Sequence, residues 1–260
     1  MKRRNFSLGC GLALAGSALI QSPALAQLKP PQAGSDYLVV EKPAAVETPA
    51  GKIEVVEFFW YSCPHCNAFE PAFEAWSKRV PKDVLVRRVP VAFRDDFVPQ
   101  QRLFYALEAM GLAEKLHSKV FAAIHVERQN LTSGEGIADW VAKQGVDKAK
   151  FMAQYNSFSV ATKAGRATQL QNAYKIEGVP ALGVAGRFMT DGEMAKSMER
   201  ALQVVDFLVA KVRSEGGYAT APSLAPSPEK KVVNEKKVVN KKKVVDKAKI
   251  DSSTLNKSSR

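Results

Sequence analysis

The residues from Ile53 to Tyr61 make a near-continuous β-type run in which Glu54 and Glu57 are the only charges, and they lead into Cys63-Pro64-His65-Cys66. A strand this apolar, without polar alternation, is expected at the centre of a sheet with both faces covered. The pattern from Cys66 to Val80 is helical, with Pro71 expected to kink it, and Val84 to Pro90 reads as the next strand. The four-residue motif therefore stands at a strand-to-helix junction.

A two-residue gap lets two sulfurs meet in a small ring and pass between dithiol and disulfide. Pro64, with its fixed φ and no N–H, suits the first helical position, which makes Cys63 the N-cap. There its sulfur faces the free backbone N–H groups of the first turn. These donors and the positive end of the helix dipole lower the thiol pKa and prepare a nucleophile and leaving group. Cys66 falls one turn inside and is less exposed, while His65 adds a donor, or a positive charge when protonated, beside the Cys63 sulfur. Metal binding is the competing reading, but a structural zinc site needs four ligands and the chain past its leader has no second cysteine pair. His117 and His125 are eight residues apart, a poor match for ligands one helical turn apart, and are expected at the surface or its boundary. No metal and no cofactor are expected.

Met1 to Ala26 reads as an export leader: Lys2, Arg3 and Arg4, an apolar stretch from Leu8 to Ile20, and the small-residue site Ala24-Leu25-Ala26, which suggests cleavage before Gln27. The expected destination is the periplasm. Arg3-Arg4-Asn5-Phe6 also resembles the twin-arginine export pattern, so both routes stay open. Cys10 leaves with the leader, and the two remaining cysteines are both in the motif. In an oxidising compartment that leaves no disulfide for structure.

The formal charge of +12 suggests nucleic acid until it is divided. The leader carries +3, and residues 229–260, with eleven basic and four acidic residues, carry +7, so the body between is nearly balanced at +2. Nucleic acid is not an expected partner. From about Ala219 the composition turns to Ala, Pro and Ser, and a hexapeptide then occurs three times, beginning at Lys230, Lys236 and Lys242. Its Val pairs recur about 120° apart around a helix and gather on no face. A solvated Lys-rich tail over 219–260 is expected, able to contact an anionic surface.

About 190 residues remain between these ends, enough for one domain with a core, or for one carrying an insertion. From Val98 to Ile176 the apolar spacing is helical, as in Leu103, Leu107 and Met110 or Ile137, Trp140 and Val141. Ala181 to Val184 returns to strand, Ala185-Gly186 turns into Arg187 to Met189, and a closing helix spans about Glu193 to Ser214. The order is β-α-β, many helices, β-β-α.

Glu57-Phe58-Phe59, Cys63-Pro64-His65-Cys66, Phe69-Glu70, Asn156-Ser157-Phe158 and Gly178-Val179-Pro180-Ala181, in this order, resemble the DsbA family of periplasmic thiol:disulfide interchange proteins over about residues 36–215. The resemblance implies an α/β, thioredoxin-like fold with an inserted α-helical domain: a first part over 27–93, the insertion over 94–163 and a second part over 164–218. The separation of 117 positions from Cys63 to Pro180 agrees, since one βαβ unit takes about 30 or more.

It implies further that Cys63 is the attacking thiolate and Cys66 the resolving thiol of a redox-active Cys63–Cys66 disulfide. Pro64 and His65 are then the intervening dipeptide, with His65 setting redox poise. Val179-Pro180 matches the loop whose peptide bond is cis, where Pro180 lies against the disulfide and the backbone of Val179 pairs with an extended substrate. Glu57 matches the buried acid beneath the site, a proton acceptor for Cys66. Arg88 stands where the family's usual partner of that acid is lysine, and an arginine does not give up its proton. Phe59, Trp60, Tyr61 and Phe69 are core or rim, with Trp60 or Tyr61 the candidates for an apolar peptide groove.

The function so implied is oxidation of reduced, unfolded exported proteins by a monomer that a quinone-linked, DsbB-like membrane oxidase recharges. Two alternatives stand beside it. A disulfide isomerase or reductase is disfavoured because only about 25 residues precede the first strand, too few for the dimerisation domain such isomerases carry. A surface-binding protein acting through its basic tail is disfavoured because Cys63 and Cys66 are both intact.

Overall fold

Residues 29–216 are described by a computed structural model; the leader with its cleavage site and the Lys-rich tail lie outside the described residues. In chain order the elements are β1 (Leu38–Val39), β2 (Ile53–Phe59), α1 (Pro64–Ser77), β3 (Val84–Pro90), α2 (Val98–Ala109), α3 (Ala113–His125), α4 (Gly134–Lys143), α5 (Lys148–Tyr155), α6 (Phe158–Ala173), β4 (Ala181–Val184), β5 (Phe188–Asp191) and α7 (Met198–Ser214), with a short 3-10 turn at Asp95–Phe97. The strands form one sheet in the order β1-β5-β4-β2-β3. β3 runs parallel to β2, with Ile53 opposite Val84 and Phe59 opposite Pro90. β4 lies antiparallel along the other side of β2, and β5 and β1 follow, each antiparallel to its neighbour.

With strands on both sides and helices on both faces, all seven residues of β2 are buried, which is why its sequence lacks alternation. Val55, Leu182 and Val184 pack with Phe69 and Phe73 of α1 and Val205 and Leu208 of α7. Val56 and Phe58 belong to the second cluster, which α6 and the helices before it complete. Each such side chain taken fully out of water contributes roughly 1.5–3 kcal/mol. The inserted helices have no separate core, since Leu103, Phe104, Val120 and Phe121 pack in one cluster with Phe58, Phe59 and Val89. α6 runs unbroken from Phe158 to Ala173, so the boundary expected after Lys163 falls within a single helix. Apolar spacing carries no mark where a helix passes from one role to another.

Three elements refine the expected order. β1 is only two residues long, with Leu38 and Val39 exposed, too short to carry any periodicity. Its neighbourhood is held from far along the chain: the Val40 N–H donates to the Arg187 carbonyl at 2.8 Å and the Thr190 hydroxyl to the Asp36 carbonyl at 2.7 Å. α7 begins at Met198, later than Glu193, because Ser197 caps it and accepts from the Arg200 N–H at 3.1 Å. β5 begins at Phe188, after a turn in which Ala185 and Gly186 both have positive φ, 53° and 70°. This is the geometry whose twist matches that of the flanking strands.

Gly183 in β4 lies against the Tyr174 ring, where an added Cβ would sit 2.5 Å from a ring carbon. Tyr174 is held on two sides, its ring edge-on to Phe58 at 5.2 Å and its hydroxyl accepting from the Gly186 N–H at 2.7 Å. Gly183→Ala is expected to lower the free energy of unfolding by about 1–3 kcal/mol, measured by urea denaturation. An unchanged midpoint would show that the ring can move aside.

Candidate active site

Cys63 is the N-cap of α1, its backbone extended at φ −80° and ψ 118°, and Pro64 takes the first helical position. The sulfur accepts a hydrogen bond from the Cys66 N–H at 3.4 Å. The turn before it closes through the Cys63 N–H donating to the Trp60 carbonyl at 3.0 Å, and the Cys63 carbonyl starts the helix by accepting from the Asn67 N–H at 3.1 Å. Both cysteines are unlinked thiols, Cys66 wholly buried and Cys63 7% exposed. Val179-Pro180 comes alongside from the loop before β4. Its peptide bond is cis, and the Val179 carbonyl accepts from the Cys63 thiol at 3.3 Å. His65 is exposed beside the pair.

The two sulfurs are driven apart electrostatically. A hydrogen bond from the Cys66 thiol is the largest influence on Cys63, and with the N–H groups of Cys66 and His65 and the charge of His65 it outweighs burial and brings the Cys63 pKa down to about 6. Burial, followed by the Cys63 sulfur itself, pushes the Cys66 thiol up. One sulfur is ready to be a thiolate near neutrality; the other keeps its proton.

Beneath them, Glu57 faces Arg88 directly across the β2–β3 register. Arg88 donates through Nε to Glu57 at 3.1 Å and through Nη2 to Glu70 of α1 at 2.6 Å. Two carboxylates share one guanidinium, which leaves a negative charge uncompensated in a dry site. Burial raises Glu57 to about 8, opposed by Arg88 and reinforced by Glu70. The other oxygen of Glu70 meets His117 Nε2 at 3.3 Å, and His117 Nδ1 meets the Tyr61 hydroxyl at 2.9 Å. Burial lowers the pKa of His117 and raises that of Tyr61. The neutral imidazole therefore carries its proton on Nε2, donates to Glu70 and accepts from Tyr61. His125 Nε2 donates to the Tyr61 carbonyl at 2.8 Å.

Over most of its length the chain is similar to known proteins. A profile of the DSBA-like thioredoxin domain matches residues 54–203. The thiol:disulfide interchange protein DsbA of Burkholderia cepacia is 44% identical over 215 residues, covering 83% of this chain and 99% of its own. The chain belongs to the DsbA family. It is a thiol:disulfide oxidoreductase, and the DsbA of Pseudomonas aeruginosa strain PAO1 is similar at 42% identity over 182 residues, 70% of this chain and 86% of that one. The crystal structure of Pseudomonas aeruginosa DsbA superposes with a TM-score of 0.68 at 41% identity, covering 71% of this chain and 95% of that chain. The DsbA fold, thioredoxin-like with an inserted helical segment, is the one described above, and neither the isomerase nor the scaffold alternative is favoured.

The structure brings Cys63, Pro64, His65, Cys66, Val179 and Pro180 to one place, with Glu57 below. It corrects the placement of His117, which is 3% exposed and joins Tyr61 of the active-site turn to Glu70 of α1; its eight-residue spacing from His125 reveals neither partner. Tyr61 is 1% exposed and lines no groove, while Trp60 is half-buried and stacked on Phe97 with centroids 3.9 Å apart. Sequence reasoning missed Gln100, which holds Ser62, the residue just before Cys63. A signal was there: Gln100, Leu103, Phe104 and Leu107 share one helical face, and a glutamine on an apolar stripe needs a buried partner.

The Cys63 pKa of about 6 lies below the ordinary thiol value of 9.0, so ionisation stabilises the reduced fold fully above pH 9 and ceases to do so as pH falls through 6. Denaturant titrations of the reduced and oxidised forms are expected to differ by a margin that shrinks in the reduced form's disfavour from pH 9 to below 6. Iodoacetamide labelling of the reduced protein should show a midpoint near 6 at Cys63 and leave Cys66 unlabelled. A margin that does not change with pH, or a midpoint near 9, would contradict the N-cap stabilisation.

Proposed function

We propose that the oxidised chain donates its Cys63–Cys66 disulfide to reduced exported proteins, with Cys63 as the sulfur that is attacked. A substrate thiolate bonds to Cys63 Sγ and the Cys63–Cys66 bond breaks. Cys66 departs with the electron pair and takes up a proton, with Glu57 as the buried acid that exchanges it. A second substrate thiolate then attacks the substrate sulfur of the mixed disulfide and expels Cys63 as a thiolate. The substrate gains one disulfide and the pair is left as a dithiol, two electrons richer. The observation that carries this reading is the contrast between the sulfurs, one seated on the N-terminus of α1 and the other buried behind it.

Pro64 and His65 tune the stability of the Cys63 thiolate, Pro64 by starting the helix and His65 by its N–H and charge. Pro180 packs against the pair, and the backbone of Val179, whose carbonyl already lies 3.3 Å from Cys63 Sγ, pairs with an extended substrate segment. The protein works in the periplasm after its leader is removed near Ala26, as a monomer without metal or cofactor, and a quinone-linked, DsbB-like membrane oxidase restores the disulfide. No helix among the described residues is long and apolar enough to cross a membrane. The thioredoxin-like part is divided by the helical insertion of about 94–163, with α6 shared between them.

Cys63→Ser is expected to abolish disulfide formation in a reduced, unfolded substrate, and Cys66→Ala, offered a disulfide-bonded substrate that its Cys63 thiolate attacks, to accumulate mixed disulfides visible on non-reducing gels. Equal trapping by both variants would overturn the assignment of roles. Deleting residues 222–260 is expected to leave oxidation of a neutral substrate unchanged while weakening sedimentation with anionic liposomes. Residues 229–260 carry +7, and salt should screen their attraction. Loss of catalysis on truncation would assign the tail to the domain, and salt-independent binding would remove the electrostatic argument.

A further inference from the structure

The sulfur of Cys63 reaches the Cys66 N–H only because the turn from Trp60 to Cys63 delivers an extended residue at the N-cap. The two central residues of that turn are gripped from the inserted helices. Gln100 of α2 is 2% exposed and uses its whole amide: Oε1 accepts from the Ser62 N–H at 3.1 Å, and Nε2 donates to Ser62 Oγ at 2.7 Å and to the Leu131 carbonyl at 3.1 Å. His125 of α3 holds the Tyr61 carbonyl at 2.8 Å, and His117, eight residues earlier in the same helix, holds the Tyr61 hydroxyl. The peptide group between Tyr61 and Ser62 is thus fixed at both its polar atoms, the carbonyl by one inserted helix and the N–H by another.

We propose that Gln100, supported by His125, is a positioning residue for the thiol chemistry: it holds the Trp60–Cys63 turn in the shape that seats the Cys63 sulfur over the first turn of α1. Rotation of the Ser62–Cys63 segment would swing the sulfur out of line with N–H donors whose pull weakens steeply with distance and angle. The helical insertion then has a part in setting redox poise through a buried amide that touches neither sulfur. The neighbouring Gln101 supplies an internal contrast. It is equally buried, at 2% exposure, but it binds the Pro90 carbonyl at the end of β3 and the Thr168 hydroxyl of α6 rather than the turn before Cys63.

The inference rests on Cys63 being the attacking thiol, and the test separates the two. Iodoacetamide labelling of the reduced parent protein, mapped to peptides, identifies the reactive cysteine; labelling at Cys66 would sink that assignment whatever Gln100 does. With Cys63 labelled, Gln100→Ala is expected to raise the midpoint of thiolate absorbance by about one pH unit and to shift the equilibrium with glutathione roughly tenfold towards the protein disulfide. Gln101→Ala should cost stability without moving either readout. Should Gln100→Ala fail to fold, His125→Ala, at a half-buried site, is measured in its place, and a shift in the same direction is expected. A midpoint and equilibrium matching those of the parent, in whichever of the two variants folds, would make the grip on the turn structural only and overturn the proposal.

Discussion

The hydrogen bond from the Cys66 N–H to Cys63 Sγ, at 3.4 Å, ties the chemistry of this protein to the start of a helix. A sulfur there is stabilised as a thiolate only if the residue before the helix is extended, the helix begins without delay and the chain arrives from the right direction. Pro64 meets the second condition. The first and third depend on β2, whose end fixes where the turn begins, and β2 is fixed by neighbours on both edges and both faces. A thiol at the surface of a loosely held loop would keep a value near 9, and its disulfide would be correspondingly harder to reduce.

Behind the sulfurs, the balance between burial and pairing sets the protonation states. Arg88 cannot neutralise Glu57 and Glu70 together, so the desolvation of Glu57 outweighs its ion pair and the site retains a proton. A lysine could exchange a proton with these acids; arginine at this place acts as a fixed charge with a fork that reaches both. The proton held beneath the sulfurs is thereby left to Glu57, whose pKa burial raises to about 8. The neutral His117, with its proton held on Nε2 towards Glu70, orients one carboxylate and anchors the ring of Tyr61 at the same time.

The inserted helices and α6 share a core with the sheet, and their polar residues converge on a few backbone groups beyond the ends of β2 and β3. Gln101 and Gln171 hold the end of β3 at Pro90 and Ala92, while Gln100 and His125 hold the turn before Cys63. Buried amides are costly to leave unpaired, so each one specifies a position for the backbone it binds. The insertion is in this sense a rigid support for the turn, built from residues 38 and 64 positions away from those they hold.

By itself the sequence determined the strand β2, because an unbroken apolar run has no stable place except a covered centre. It determined the N-cap, because Pro64 has few other places to stand, and a two-residue spacing put both sulfurs within one turn of it. The hairpin at Ala185-Gly186 and the helical character of residues 98–173 were legible for the same local reasons of turn chemistry and period. Partnerships across the chain were settled only on folding. The two-residue β1 is a strand solely because β5 pairs with it. Glu57 could have been a half-exposed carboxylate, and its burial with Arg88 and Glu70 depends on three elements meeting. His117 looked like a surface residue because a histidine's environment is set by neighbours 47 and 56 residues away, beyond the reach of any local pattern. Local periodicity reports which face of an element is apolar; it does not report which polar group from elsewhere will be brought against it, and in this site those groups hold the thiols in place.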